Sequence, residues 1–254
     1  MNERNSMQEK MMEEKQTKKV RIKYTKSEQL KFIGHLDVMR YFQKAVKRAG
    51  FDIAYSHGFS PHQLMSFAAP LALGVTSEGE YFDAEFNSLI TSDEFVQRFN
   101  EQMAAGMEVK DAILLADDAK KAMSLVAGSD YLITLHDSLT DEQKQKILDY
   151  TPHLLEKESI EIFRKTKKSE KVEDIKNGIY ELHVEEDKIY MFLATGSEYN
   201  LKPDSVIEAL CKETEIVYNK FDYHIHRVET YMKNENDELV SLLESGTRIT
   251  QDSL

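Results

Sequence analysis

The order in which two hydrophobic periods alternate along this chain constrains its fold more than any single motif. Val20–Tyr24 alternates apolar and polar residues, the period of a half-buried strand. Leu36–Ala49 then changes period. Val38, Met39, Phe42, Ala45, Val46 and Ala49 fall on one side of a helix at ~100° per residue, with Arg40, Lys44, Lys47 and Arg48 on the other. Asp37 in its first turn and Lys47 and Arg48 in its last suit the helix dipole, and Gly50 follows as a stop. Phe51–Tyr55 reads as a short strand, Gln63–Ala68 as extended and Gly79–Phe86 as a strand. Ser92 and Asp93 cap a helix over Glu94–Ala105, and Glu108–Leu115 is a strand.

The second half repeats this cadence. Tyr131–Leu135 is a strand and Thr140–Tyr150 a helix. Ser159–Phe163, Ile175–Val184 and Lys188–Leu193 are strand candidates. Pro203–Cys211 is a helix with Pro in its first turn, and Phe221–Met232 a strand of period two. Strand, helix, strand, strand, helix, strand, read twice, predicts an α+β chain of two ferredoxin-like (βαββαβ) halves with antiparallel sheets. The first spans residues 19–117, with the basic helix and the GFSPH loop, and the second 128–234. Lys120–Gly128 joins them, and residues 1–18 and 235–254 read as a flexible leader and a polar tail.

Composition removes several function classes. No apolar run approaches the ~20 residues that span a bilayer, so no membrane role is expected. The charged start lacks a secretory signal, and one cysteine excludes an intrachain disulfide, so the cytoplasm is the expected compartment. Cys211 follows the apolar run VIEAL and reads as a buried small hydrophobe. The net charge of −12 argues against indiscriminate coating of nucleic acid. Residues 21–60 nevertheless carry eight basic and three acidic residues, a local charge of +5. Such asymmetry marks one polyanion-facing surface.

The candidate site lies in this basic region. Arg40, Lys44, Lys47 and Arg48 would contact phosphates, with Tyr41, Tyr55 and Phe59 as stacking groups. Core packing competes as the reading of these aromatics and is the stronger one for Phe59. His35 opens the helix, and His57 and His62 flank the link HGFSPH, in which Gly58 and Pro61 are turn formers. If the following strand runs back along the helix, His35 approaches His57. The histidine spacing fits no HExxH or Cys-rich metal signature, so no metal and no cofactor is expected. Hydrogen bonds that cap the helix and fix the loop are the favoured role of these rings, ahead of general acid–base chemistry. Gly58, Pro61, Pro70 and Gly74, interleaved with Phe59, Leu64, Phe67 and Leu71, describe an ordered loop pinned by its apolar members. Arg164, Lys165, Lys167 and Lys168 form a second basic cluster, a solvated hairpin tip or a phosphate-gripping arm. Gly196–Pro203 reads as a capped turn opening the last helix, with anion binding through Gly196 and Ser197 as the alternative.

Taken together, these motifs resemble the bacterial radical SAM-linked proteins. That family is written with SHLD, a basic helix, a GFNPHP-like loop and a PLPLGV.S.GE segment. The matching stretches are GHLD (Gly34–Asp37), GFSPHQ (Gly58–Gln63) and PLALGVTSEGE (Pro70–Glu80). RKTKKSEKVEDIK and GSEYNLKPDSVIEAL resemble its later landmarks, and Gly34 and Gln63 are mild departures. The resemblance implies a chain encoded beside or fused to a radical SAM enzyme, in some genomes near a ribonuclease and ribosomal protein genes, which points to RNA or translation. This chain lacks the cysteine triplet of the radical enzyme itself. The expected function is a non-catalytic accessory module that partners a separate radical SAM enzyme and helps bind an RNA substrate. The alternatives are a metal-independent RNA-processing enzyme and a pure protein-interaction adaptor.

Overall fold

The computed structural model describes residues 17–165, 170–197 and 199–254. In chain order its first elements are β1 (Lys18–Lys26), α1 (His35–Arg48), β2 (Met65–Phe67), β3 (Thr76–Phe86), α2 (Ser92–Asn100) and β4 (Met107–Leu115). A short helical turn, α3 (Ala122–Leu125), leads into β5 (Val126–Leu135), α4 (Asp141–Tyr150), β6 (Glu161–Lys165) and β7 (Glu170–Asp174). The chain continues through β8 (Ile179–Glu185), β9 (Lys188–Ala194), α5 (Pro203–Glu213), β10 (Tyr223–Lys233), β11 (Leu239–Ser241) and β12 (Gly246–Arg248). The protein is therefore α+β, with a large, mostly antiparallel sheet and few helices. No helix among the described residues is long and apolar enough to cross a membrane.

One sheet runs through the molecule in the order β12-β4-β1-β3-β10-β5-β9-β8, with β2 also on β3 and β11 on β10. The β1–β4, β1–β3, β2–β3, β10–β5, β5–β9 and β9–β8 pairs are all antiparallel. The halves meet where β3 and β10 run parallel, through His226↔Thr76 and Arg227↔Ser77. Glycine is required at this seam: a Cβ on Gly79 would lie 2.4 Å from Glu229 Cα.

Because successive strand residues face opposite sides, the sheet separates its cores cleanly. Val20, Ile22, Phe42, Phe82, Phe86, Phe95 and Phe99 pack under α1 and α2. Ile133, Ile147, Leu154, Ile189, Met191, Val206 and Leu210 pack under α4 and α5. The intervening residues of β1 and β3 face the other side. There Arg21 is held by Asp83 through Nε–Oδ1 at 2.7 Å and Nη2–Oδ2 at 3.1 Å, while Tyr81, Ala122, Val126, Met232 and Leu242 form a third cluster.

Several expectations are corrected. Phe51–Tyr55 forms isolated bridges, Ile53↔Phe86 and Tyr55↔Gln63, in place of a strand. β2 already covers the Phe82–Ala84 stretch of β3, which leaves this segment only the end of the strand. The 235–254 segment is no free polar tail. β11 pairs with β10, β12 pairs with β4, and Leu242 and Ile249 are buried. Its few apolar residues bury because both strand edges were open to receive it. Within the Lys120–Gly128 connection, α3 and the start of β5 are already ordered. The expected leader ends before Lys18, which opens β1, and residues 1–16 lie outside the described residues. Cys211 is buried with Sγ 2.9 Å from the Tyr223 hydroxyl, and burial pushes its thiol pKa up, so it is not an exposed nucleophile.

Candidate functional site: a basic helix, a hairpin tip and a cleft between the halves

Helix α1 buries Val38, Phe42, Ala45 and Val46 and turns its cationic side outward. The four cations differ. Arg40 pairs with Asp37 at 3.1 Å. Arg48 Nη2 donates to the Gln102 carbonyl at 3.0 Å. Lys47 Nζ stands 6.0 Å from the centre of the Tyr55 ring, in cation–π range. Lys44 is exposed and makes no ion pair among the described residues. Tyr41 is half-buried, its hydroxyl accepts from Ala104 N, and the Arg48 guanidinium lies 5.9 Å from the centre of its ring.

The GFSPH loop is the tip of a hairpin. Ser56 N donates to His62 O at 2.8 Å, Leu64 N donates to Ala54 O at 2.9 Å, and Gln63 Nε2 ties the hairpin base to Gln43 O of α1. Gly58 has φ +109°, which favours glycine. Phe59 is fully exposed, against the expected core role, and Leu64 N and the Tyr55–Gln63 bridge hold the hairpin without it. Pro61 is exposed beside it. The loop projects, so its tip residues have nothing to pack on.

The three histidines do not converge. His62 Nδ1 lies 2.8 Å from Ser56 Oγ and fixes the hairpin neck. His57 is exposed at the tip. His35 sets its ring edge against Phe67, 5.7 Å between centroids, and does not cap α1: the cap position is Gly34, with no side-chain bond. The backbone of Arg164 and Lys165 lies on β6, opposite Lys171 and Glu170, while Lys167 and Lys168 lie outside the described residues. No group of three or more His, Cys, Asp or Glu residues that could hold a metal occurs among the described residues.

Two motifs read separately in the sequence face each other across a cleft. The Pro70–Ala72 stretch of PLALGV, with Gly196, Ser197 and residues 200–204, lines a cavity of about 260 Å³ between the halves. Its floor is Arg227 and Tyr131. Arg227 Nη1 donates to Glu80 Oε1 at 2.8 Å, and Nε and Nη2 donate to the Tyr131 hydroxyl at 3.3 and 3.2 Å. Burial opposes the guanidinium charge, but Tyr131 and Glu80 hold its pKa above the ordinary arginine value. Leu71 separates this cavity from a void of about 10 Å³ lined by Tyr24, Lys26, His35 and Glu80. Burial pushes the Lys26 pKa down, and Glu80 opposes that shift. The GHLD, PLALGV and SEGE segments thus meet at one place. Gly196 has a packing role, since its Cβ would lie 2.8 Å from Val126 O.

A more open hollow of about 570 Å³ lies beside the hairpin neck, lined by Lys19, His62, Lys120 and Lys121 among others. Met123 lines both spaces. Lys120 and Lys121 are exposed and unpaired among the described residues. Sequence reasoning missed Tyr131, Arg227, Lys120 and Lys121. Arg227 did carry a signal, because Tyr223, Ile225 and Arg227 share the buried phase of a period-two strand, where an arginine needs a partner.

Residues 19–203 match the model of a bacterial family described as "Uncharacterized protein conserved in bacteria (DUF2344)", and the chain belongs to that family. No curated protein matches it. Among solved structures, a chain of "Crystal Structure of a Cbf5-Nop10-Gar1 Complex" is similar at 12% identity and a TM-score of 0.41, over 87% of this chain and 51% of that one. This chain therefore spans about half the length of that neighbour, and so weak a likeness assigns neither fold family nor function.

Proposed function

We propose that this chain is a non-catalytic, RNA-binding accessory module for a separate radical SAM enzyme, built on two ferredoxin-like halves. The observation that carries the RNA reading is a set of exposed cations without ion pairs among the described residues, together with exposed aromatics, on α1, the hairpin and the hollow beside it. Lys44, then Lys47 over Tyr55, then the Phe59 tip lie along α1 and the hairpin tied to it, and His62 leads on to Lys120 and Lys121. Exposed cations beside an exposed ring such as Phe59 suit single-stranded RNA. The strand orders β4-β1-β3-β2 and β10-β5-β9-β8 support the ferredoxin-like reading, with β6–β7 as an insertion in the second half. The partnership with a radical SAM enzyme rests on the motif resemblance. Exposed Phe32, Leu36 and Leu73, near the start of α1, favour a protein contact as well and keep the adaptor as a second reading.

The test is RNA affinity of the purified protein across a salt series. A Lys44→Glu/Lys47→Glu variant should bind single-stranded RNA at least about tenfold more weakly, with the log–log salt slope shallower by roughly 1.4 for two lost phosphate contacts. Unchanged affinity and slope would leave the basic face a solubilising surface and favour the adaptor. End mapping of cellular RNA incubated with the protein addresses the enzyme alternative: metal-independent cleavage lost in His35→Gln or His62→Gln would replace the accessory reading.

A further inference from the structure

The floor of the cavity between the halves donates more hydrogen bonds than the protein accepts. Tyr131 and Arg227 line it and are 3% and 5% exposed. The Tyr131 hydroxyl accepts from Arg227, and its own hydrogen has no acceptor among the described residues. Of the five guanidinium N–H groups, Tyr131 and Glu80 engage three, and the other two have no acceptor among the described residues. Leaving a buried donor unpaired costs ~1–3 kcal/mol. A ligand atom that accepts hydrogen bonds would therefore gain at this floor.

That atom should be uncharged. Glu80, 4% exposed, already matches the Arg227 charge at 2.8 Å, and Asp204 stands on the lining. An anion at the floor would add a second buried negative charge against one guanidinium, with a desolvation cost of several kcal/mol. A carbonyl oxygen meets the same donors without that cost. The walls supplied by Leu71, Val75 and Leu201 are apolar. At about 260 Å³ the space is below the ~300–1,000 Å³ of whole-ligand pockets. It suits one flat heterocycle, with anything larger left outside beside Lys202 and, past Met123, in the hollow of Lys120 and Lys121.

We infer that this cavity takes one carbonyl-bearing nucleobase, uracil, cytosine or guanine in preference to adenine, with its carbonyl edge on Tyr131 and Arg227 and its sugar-phosphate toward Lys202. The base chemistry rests on the cavity alone. Its source, a base splayed from a single strand, rests on the RNA-binding reading, and a free nucleoside presents the same edge.

The experiment measures binding of the full chain to oligo(U), to oligo(A) of equal length and to free uridine. It compares wild type, Ala69→Phe, which fills the cavity, and Tyr131→Phe, which keeps its shape. Melting curves establish that each variant is folded. The expected result is oligo(U) bound about tenfold tighter than oligo(A), the worth of one such hydrogen bond. The ratio should collapse toward one in Ala69→Phe, and oligo(U) affinity should fall about tenfold in Tyr131→Phe. If both oligonucleotides bind alike in all three proteins while Lys44→Glu/Lys47→Glu abolishes binding, the base pocket is overturned and the RNA reading stands. If no oligonucleotide binds but uridine shifts the methyl resonances of Val75 and Leu201 in wild type and not in Ala69→Phe, the pocket stands and its source is a free nucleoside. If neither binds, both inferences fall.

Discussion

His226 shows how one side chain can make the junction between the halves sensitive to acid. It sits on the parallel β3–β10 seam, with Nδ1 2.7 Å from Thr76 Oγ1 and Nε2 3.9 Å from Glu78 Oε1. Burial pushes its pKa below the ordinary 6.5, His224 adds to the shift, and Glu78 opposes it. An unfolded chain takes up this proton near 6.5, whereas the folded one takes it only at lower pH. Between those two values the unfolded state binds more protons, so stability falls as pH falls through the window. The expected outcome is a melting temperature that drops on acidification from 6.5, with a shallower drop in His226→Gln, which can still hydrogen-bond to Thr76. Identical pH slopes in the two proteins would assign the acid sensitivity elsewhere.

At the scale of the element, β3 is the strand on which the molecule turns. It pairs with β1 along most of its length, carries β2 at one end and reaches β10 at the other. One face supplies Phe82, Ala84 and Phe86 to the core, and Asp83 on the other holds the guanidinium of Arg21. Its approach to β10 depends on the absence of a side chain at Gly79. Gly79→Ala should destabilise by about 3 kcal/mol, at the upper end of overpacking costs. The reason is that the new methyl meets the Glu229 backbone, which cannot swing aside as a flexible side chain would. Urea denaturation measures this. A loss within about 0.5 kcal/mol, typical of a surface change, would mean the seam opens freely. The GFSPH hairpin behaves in the opposite way. Its turn chemistry was legible from Gly58 and Pro61, but the exposure of Phe59 was not, because a phenylalanine in a short apolar–polar mixture carries no phase from which to read a buried side.

The whole molecule is closed by its C-terminal segment. β11 adds to β10 in the second half and β12 to β4 in the first, so the stretch between them spans the junction. Within it Leu242 is fully buried against Tyr81, Ala122 and Met232, and Ser245 Oγ accepts from Arg21 Nη1 at 2.6 Å. Arg21 is thereby fully buried against a largely buried Asp83, with Ala122 N donating to Asp83 Oδ2 at 2.7 Å. A buried pair is costly to break one-sidedly, which makes the strap integral to the first half as well as to the junction. Leu242→Ala should cost about 2–5 kcal/mol, as cavity-forming core truncations do. Calorimetry should still show one cooperative transition, shifted down. Two separated transitions would mean that the halves fold independently and that the strap is decorative.

Local chemistry alone determined the main elements of this protein and the faces they bury, though not the bridges of Phe51–Tyr55 or the strands β11 and β12. The alternation of Val20–Tyr24 and the helical spacing of Val38, Phe42, Ala45 and Val46 are properties of adjacent residues, and they set which side of each element leaves water. The Thr140–Gln143 capping box is similarly local and starts α4 where its residues predict. Only the tertiary structure decided what meets across the molecule. Glu80 and Arg227 are 147 residues apart, and neither has a local pattern that names the other. They pair because β3 and β10 became neighbours in the sheet, which in turn brought PLALGV opposite the loop before α5 and made a cavity of two ordinary connections. Strand order is chosen by the summed burial and hydrogen bonding of whole strands, an energy spread over many distant pairs. A site built on that order is therefore invisible to any window of sequence, even when each of its motifs can be read.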